Sequence, residues 1–134
     1  MNTQSDIAIV SESLLLCDDR VGDITPLVYQ RFFGLDTSAA SLMEYSDEYM
    51  RGRMFASVLE LFLSDDPFEN DGFLAWELDN HASAYSVTKG MYETLFRAFI
   101  DVVKETLGEA WSTDYEGAWT NRTARIMIEV SQRD

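Results

Sequence analysis

Apolar residues recur three and four positions apart along most of this chain, which is the spacing of helices with one buried face. The longest such run covers residues 89–107, between the capping residue Thr88 and the helix stop Gly108. A second long run covers residues 47–63. No segment alternates between apolar and polar residues as a half-buried strand does, so the pattern predicts an all-α protein.

The first third of the chain predicts two helices and a corner. The first helix covers about residues 5–17, and the polar residues 18–22 break it. Asp23 caps the second helix, which tolerates Pro26 in its first turn because a proline there loses no helical hydrogen bond. Residues 34–41 then form a corner that includes one helical turn.

Two further helix starts lie in the second half of the chain. Asp66 followed by Pro67 is typical of a helix N-terminus, and the helix that it begins leads towards His81. Residues 113–116, Thr-Asp-Tyr-Glu, form a capping box for the last helix. We therefore expect six to seven helices in a single domain that spans residues 1–134. Helices that cross at steep angles fit this number better than a simple four-helix bundle does.

Three stretches carry a resemblance to a known family. Residues 24–33 look like the family's B helix, in which a tyrosine, here Tyr29, points at bound ligand. Residues 80–92 are similar to the stretch that holds the iron-binding histidine. Residues 107–119, with their Leu-Gly and Ala-Trp pairs, are typical of the turn before the last helix. The chain resembles a bacterial single-domain globin, related to the haem domain of flavohaemoglobins, and the resemblance implies a globin-like fold.

The resemblance implies a cofactor, haem b, between the helix of residues 47–63 and the segment around His81. His81 is then the axial ligand to iron, a normal role for a neutral imidazole. Tyr29 is the expected hydrogen-bond donor to the bound ligand, Tyr92 a partner near His81, and Arg51 a cation beside the ligand or a haem propionate. The residues expected to contact haem are Tyr29, Phe33, Met43, Arg51, Met54, Phe55, Val58, Tyr85, Val87, Tyr92 and Leu95.

Three features of the sequence depart from the family's pattern. Met43 stands where the family has a phenylalanine stacked on the porphyrin. Residues 47–63 contain no glutamine or histidine of the kind that holds ligand in many bacterial globins. The interval from His81 to Val87 is one residue longer than the family norm, which a local bulge would absorb. These departures favour an alternative, a haem-free globin-fold module for protein interaction or for sensing a hydrophobic small ligand.

Charge and composition narrow the range of partners. The formal net charge of −14 argues against binding to nucleic acid or to an anionic membrane surface. The only cysteine, Cys17, excludes an intrachain disulfide bond. The N-terminus lacks the basic and apolar regions of a signal peptide, and no apolar run is long enough to span a membrane. We expect a soluble, cytoplasmic protein.

The function that this pattern favours is reversible binding of a diatomic gas, O2 or NO, for storage, scavenging or sensing. We do not expect an enzyme, because no flavin or nicotinamide domain follows the last helix. NO dioxygenase activity would therefore need an external reductase. The last two helices are long enough to form a homodimer interface, and homodimers are the commonest oligomers.

Overall fold

Residues 3–64 and 88–133 are described in a computed structural model of this chain. Across these two ranges the backbone forms α-helices and one 3-10 turn but no β-strand, which confirms the predicted all-α class. None of these helices combines the length and the apolar character needed to cross a bilayer. The helix predicted to begin at Asp66 and Pro67 lies outside the described residues. The helices are α1 (Thr3–Val21), α2 (Thr25–Leu35), α3 (Thr37–Leu42), α4 (Glu48–Leu63), α5 (Lys89–Leu107) and α6 (Thr113–Arg133), with the 3-10 turn Gly108–Ala110 between the last two.

The long helices α4 and α5 begin where their capping residues predict. The Asp47 side chain accepts a hydrogen bond from the backbone N–H of Met50 at 2.8 Å. Thr88 does the same for the N–H of Met91 at 3.2 Å. Each cap satisfies one of the backbone donors that the first turn of a helix leaves unpaired. The predicted boundaries of both helices are therefore confirmed to within one residue.

Helix α1 is longer than predicted. The expected break over residues 18–22 is wrong, because the helix continues to Val21 and ends at Gly22, whose φ of +75° suits a glycine. The polar residues before it are tolerated because they lie on the exposed side of the helix. Arg20 donates two hydrogen bonds to the carbonyls of Thr106 and Leu107, at 3.0 and 2.8 Å. This contact anchors the last turn of α1 on the end of α5.

The last helix, α6, is capped one residue earlier than predicted. The expected capping box begins at Thr113, but the hydroxyl of Ser112 accepts the hydrogen bond from the backbone N–H of Tyr115 at 3.2 Å. The carboxylate of Glu116 accepts a hydrogen bond from the indole of Trp111 instead of reaching back to the helix start. The helix begins where it was expected to begin, and only the capping side chain differs.

The core is organised around aromatic side chains from three helices. The fully buried indole of Trp119 on α6 lies 4.8 Å from the ring of Phe99 on α5 and 5.2 Å from the ring of Phe62 on α4, measured between centroids. Phe62 and Phe99 also contact each other edge to face at 5.4 Å. Such pairs contribute roughly 0.5–1.5 kcal/mol each beyond the burial of their area. The indole N–H of Trp119 donates to the hydroxyl of Ser13 on α1 at 2.9 Å, which adds a fourth helix to the cluster.

A buried arginine closes the end of α4. Arg122 on α6 is 2% exposed, and its guanidinium donates to the carbonyls of Phe62, Leu61 and Ser64 at 3.0, 2.7 and 2.8 Å. These carbonyls belong to the last turn of α4 and to its C-cap residue Ser64, where intrahelical donors are lacking and the helix dipole favours a positive charge. Arg122 therefore fixes the position at which the chain leaves α4.

We expect Arg122→Met to lower the free energy of unfolding by about 2–4 kcal/mol, because it leaves buried carbonyls without donors. Urea unfolding followed by circular dichroism measures this loss. Arg97→Met removes an exposed arginine from α5 and is the matched control. It should cost less than about 0.5 kcal/mol. Equal losses in the two variants would show that the hydrogen bonds of Arg122 do not stabilise the fold.

Candidate functional site

The described residues include nine of the predicted site residues. Tyr29 and Phe33 lie on α2, and Met43 follows α3 directly. Four more lie on α4 and two on α5; they are Arg51, Met54, Phe55, Val58, Tyr92 and Leu95. The predicted iron ligand His81 and its neighbours Tyr85 and Val87 lie outside the described residues.

Helices α2 and α4 bring three of these residues together as an aromatic cluster. Tyr29 and Phe33 are four residues apart and so lie on one face of α2, with ring centroids 5.9 Å apart. The ring of Phe55 on α4 meets Tyr29 edge to face at 6.3 Å. Phe55 in turn packs against Phe99 of the core at 4.9 Å. The cluster is therefore continuous with the core, and its position is fixed by the core.

Arg51 joins this cluster through two contacts. Its guanidinium carbon lies 4.9 Å from the centroid of the Phe33 ring, which is a cation–π geometry. Its Nε donates to the hydroxyl of Ser46 at 2.9 Å. The Ser46 hydroxyl donates in turn to the carbonyl of Met43 at 2.7 Å. This chain of contacts holds a half-buried guanidinium in one orientation beside the aromatic rings.

The Tyr29 side chain is buried, and its hydroxyl is a potential donor. The residue is 2% exposed, and no side chain or carbonyl of the described residues accepts a hydrogen bond from it. Burial raises the pKa of Tyr29 to about 12, and the positive charge of Arg51 opposes this rise. The phenol is therefore neutral at physiological pH and keeps its proton. Buried tyrosine hydroxyls normally find a hydrogen-bond partner, so this one is suited to a ligand.

The other predicted site residues differ in their burial. Val58 and Leu95 are buried, and Met43, Met54 and Tyr92 are half-buried. The Tyr92 ring lies 6.1 Å from that of Phe96, close to the aromatic core.

Ser46 was not predicted as a site residue, although it orients Arg51. Its position just before the N-cap Asp47 was visible in the sequence, but no helical spacing links it to Arg51.

A concavity lies on another face of α2, away from the aromatic cluster. It is a shallow groove of about 530 Å³ between α2 and α5, and none of the predicted site residues lines it. Arg31 crosses it to pair with Asp101 and Glu105 of α5. Within residues 3–64 and 88–133, no three side chains of His, Cys, Asp or Glu converge in a way that could hold a metal ion. The groove between α2 and α5 is lined by Leu27, Gln30, Arg31, Gly34, Leu35, Val102, Glu105 and Thr106.

Comparison with known proteins leaves the family open. No protein-family profile matches this chain, and no curated protein and no solved structure is significantly similar to it. The geometry of the described residues and the sequence pattern are therefore the observations on which a function can rest.

The raised pKa of Tyr29 predicts a loss of stability at alkaline pH. The folded value of about 12 lies above the unfolded value of roughly 10. Stability from the neutral phenol is therefore complete below the unfolded pKa and is lost as pH rises towards the folded pKa. We define a difference: the free energy of unfolding of the wild type minus that of Tyr29→Phe. This difference should fall by roughly 1.4 kcal/mol between about pH 9 and pH 11. Urea unfolding at each pH measures the difference, and a constant difference would contradict the prediction.

Proposed function

We propose that this chain is a haem-binding globin that reversibly binds a diatomic gas, O2 or NO, with His81 as the iron ligand. The observation that carries the proposal is Tyr29, whose buried ring lies among aromatic rings and whose neutral hydroxyl has no acceptor among the described residues. It occupies the position in α2 at which the globin-like pattern expects the ligand-binding tyrosine. The order of the globin-like stretches along the chain supports the same assignment.

The side chains around Tyr29 are of the types that a flat, mostly apolar cofactor would need as contacts. Phe33 and Phe55 supply aromatic surface on two helices, and Met43 supplies a flexible side chain that fills irregular space. Arg51 adds one cation at the border of this apolar surface, where its charge suits a propionate. A porphyrin needs this combination of broad apolar contact and a positive group at one edge.

Each residue has a distinct task in this proposal. Haem, when bound, supplies the iron that binds the gas. The imidazole of His81 would hold the iron, because a neutral imidazole is a normal haem ligand. Burial raises the pKa of Tyr29 to about 12, so its hydroxyl keeps its proton and would donate a hydrogen bond to the gas ligand. The aromatic rings around it exclude water, which strengthens that hydrogen bond.

Half-buried Met43 supports a second candidate, a haem-free module that takes a hydrophobic small ligand. A methionine gives up the ring stacking that a phenylalanine would offer a porphyrin, but it adapts well to other apolar shapes. This candidate uses the same apolar surface and requires no role for His81. Replacement of His81 therefore distinguishes the two candidates.

Titration of the purified chain with haem tests the proposal. The wild type should develop a sharp Soret absorption band at a stoichiometry of one haem per chain, and His81→Ala should lose the band. Asn80→Ala changes the neighbouring residue and should keep it. A wild type that stays colourless and equally stable in excess haem would reject haem binding in favour of the haem-free module.

The proposed hydrogen bond from Tyr29 to the bound gas predicts that the gas dissociates slowly. Tyr29→Phe removes the hydroxyl and keeps the ring, so O2 should dissociate roughly tenfold faster, the equivalent of about 1.4 kcal/mol. Stopped-flow displacement of O2 by carbon monoxide measures the rate. Tyr45→Phe is the matched control, because Tyr45 is 91% exposed and lies outside the cluster. An unchanged rate in Tyr29→Phe would remove Tyr29 from the site.

A further inference from the structure

We propose that the groove between α2 and α5 is a docking site for a helix of a partner protein, one whose apolar stripe is flanked by basic residues. This surface goes beyond the proposed gas ligand, because none of the residues that line it is among those predicted to contact haem. Its shape, its exposed aliphatic side chains and the charge at its rim carry the proposal.

The groove is a concave surface with open space beside α2. It has a volume of about 530 Å³ and lies between two helices that pack against each other. Gly34 lines it, and a Cβ at this position would meet no neighbouring atom within 4 Å. Leu27 and Leu35 line the same wall and are eight residues apart, which is about 12 Å along a helix. A helix that lies along α2 therefore finds contacts over about two of its own turns.

Aliphatic side chains along the groove are exposed to solvent. Leu27 and Leu35 are 41% and 43% exposed although both line a concave surface. Val21, the last residue of α1, is also exposed. It follows Arg20, whose guanidinium donates to the carbonyl of the lining residue Thr106, so Val21 lies near one end of the groove. Exposed apolar side chains beside a concave surface are typical of an interaction site.

The free charges around the groove are negative. Asp18 and Asp19 are exposed in the last turn of α1, and Glu105 lines the groove with its side chain 62% exposed. Arg31 is neutralised by carboxylates of α5, and Arg20 is turned towards backbone carbonyls. Carboxylates therefore outnumber free cations at the rim, which attracts a basic partner. A second copy of this chain, with its net charge of −14, would meet like charge there.

The shape of the groove favours a helix over a small molecule. Small-molecule sites enclose most of the surface of their ligand, whereas this groove is shallow and the Arg31 ion pairs cross it. A partner helix contributes an apolar face of its own and covers both exposed leucines at once. Amphipathic helices bind to apolar grooves in this way, through side chains three and four positions apart.

Binding of a basic amphipathic peptide to the full chain tests the docking site. The probe is a fluorescein-labelled peptide of about 18 residues, made of leucine and lysine, with its leucines three and four positions apart. Fluorescence anisotropy at physiological ionic strength measures its dissociation constant. Gly34→Gln fills the groove with a polar side chain and should weaken binding by about tenfold or more. No binding by the wild type, or full-strength binding by Gly34→Gln, would overturn the proposal.

Gly52→Gln on α4 is the matched control for the blocked groove. A Cβ at Gly52 likewise meets no neighbouring atom, and Gly52 does not line the groove. This variant should change peptide binding by less than about twofold. Both substitutions replace a glycine within a helix by a better helix former, so both variants should remain folded. Equal weakening in the two variants would overturn the proposal.

A second pair of variants and a second peptide separate docking from general attraction to an acidic chain. Asp18→Asn combined with Asp19→Asn should weaken binding about threefold, because it removes charge at the rim. Glu44→Gln combined with Glu48→Gln removes the same charge near the start of α4 and should have less than about a twofold effect. A peptide of the same composition with its leucines scattered around the helix should bind about tenfold more weakly. Equal effects of the two double variants, or equal binding of the two peptides, would overturn the proposal.

These experiments are independent of the proposed gas binding. None of the substitutions changes a residue to which the haem proposal gives a role. Loss of the docking site would therefore leave gas binding untouched, and a chain that does not bind haem would still bind the peptide.

Discussion

The burial of Trp119 is the interaction on which the described structure depends. Its ring packs against Phe62 and Phe99, and its indole N–H donates to Ser13, so one side chain of α6 contacts α4, α5 and α1. Phe99 then contacts Phe55, whose ring reaches Tyr29 on α2. The candidate site is therefore the outer end of an aromatic chain that begins in the centre of the protein. Tight packing of such a core leaves little freedom in the position of the Tyr29 ring.

Two arginines of this acidic chain contact the C-terminal ends of helices, and Arg51 does not. Arg20 and Arg122 donate to carbonyls at the C-terminal ends of α5 and α4, where the helix dipole favours a positive charge. Arg51 lies in the first turns of α4, where the dipole disfavours one. The first two arginines stabilise the fold. The placement of Arg51 brings no such stabilisation, and its contacts with Ser46 and Phe33 fix the orientation of its side chain.

Local signals in the sequence predict most of the described helices. Thr88 and Asp47 define where α5 and α4 begin, because a capping side chain acts within three residues of its own position. The end of α1 was missed because the charged residues 18–20 look like a break, whereas a solvent-exposed charged turn continues a helix without cost. The contact that holds this turn, from Arg20 to Leu107, joins residues far apart in the chain, so no local pattern contains it.

The candidate site was predicted only in part, because some of its contacts also join residues that are far apart in the chain. The pairing of Tyr29 with Phe33 follows from helical spacing, and the pattern of the second helix pointed to it. The contact of Phe33 with Arg51 depends on how α2 and α4 pack, and the role of Ser46 depends on the turn before α4. Neither is contained in the periodicity of a single helix. The globin-like assignment itself, with His81 at its centre, remains a proposal that rests on the sequence pattern and on Tyr29.

A crystal structure of the full chain loaded with haem tests this central claim most directly. We predict that the His81 imidazole holds the iron on one side of the porphyrin and that the Tyr29 hydroxyl faces the opposite side. Iron held by any other residue, or crystals without haem grown from a solution that contains it in excess, would contradict the claim.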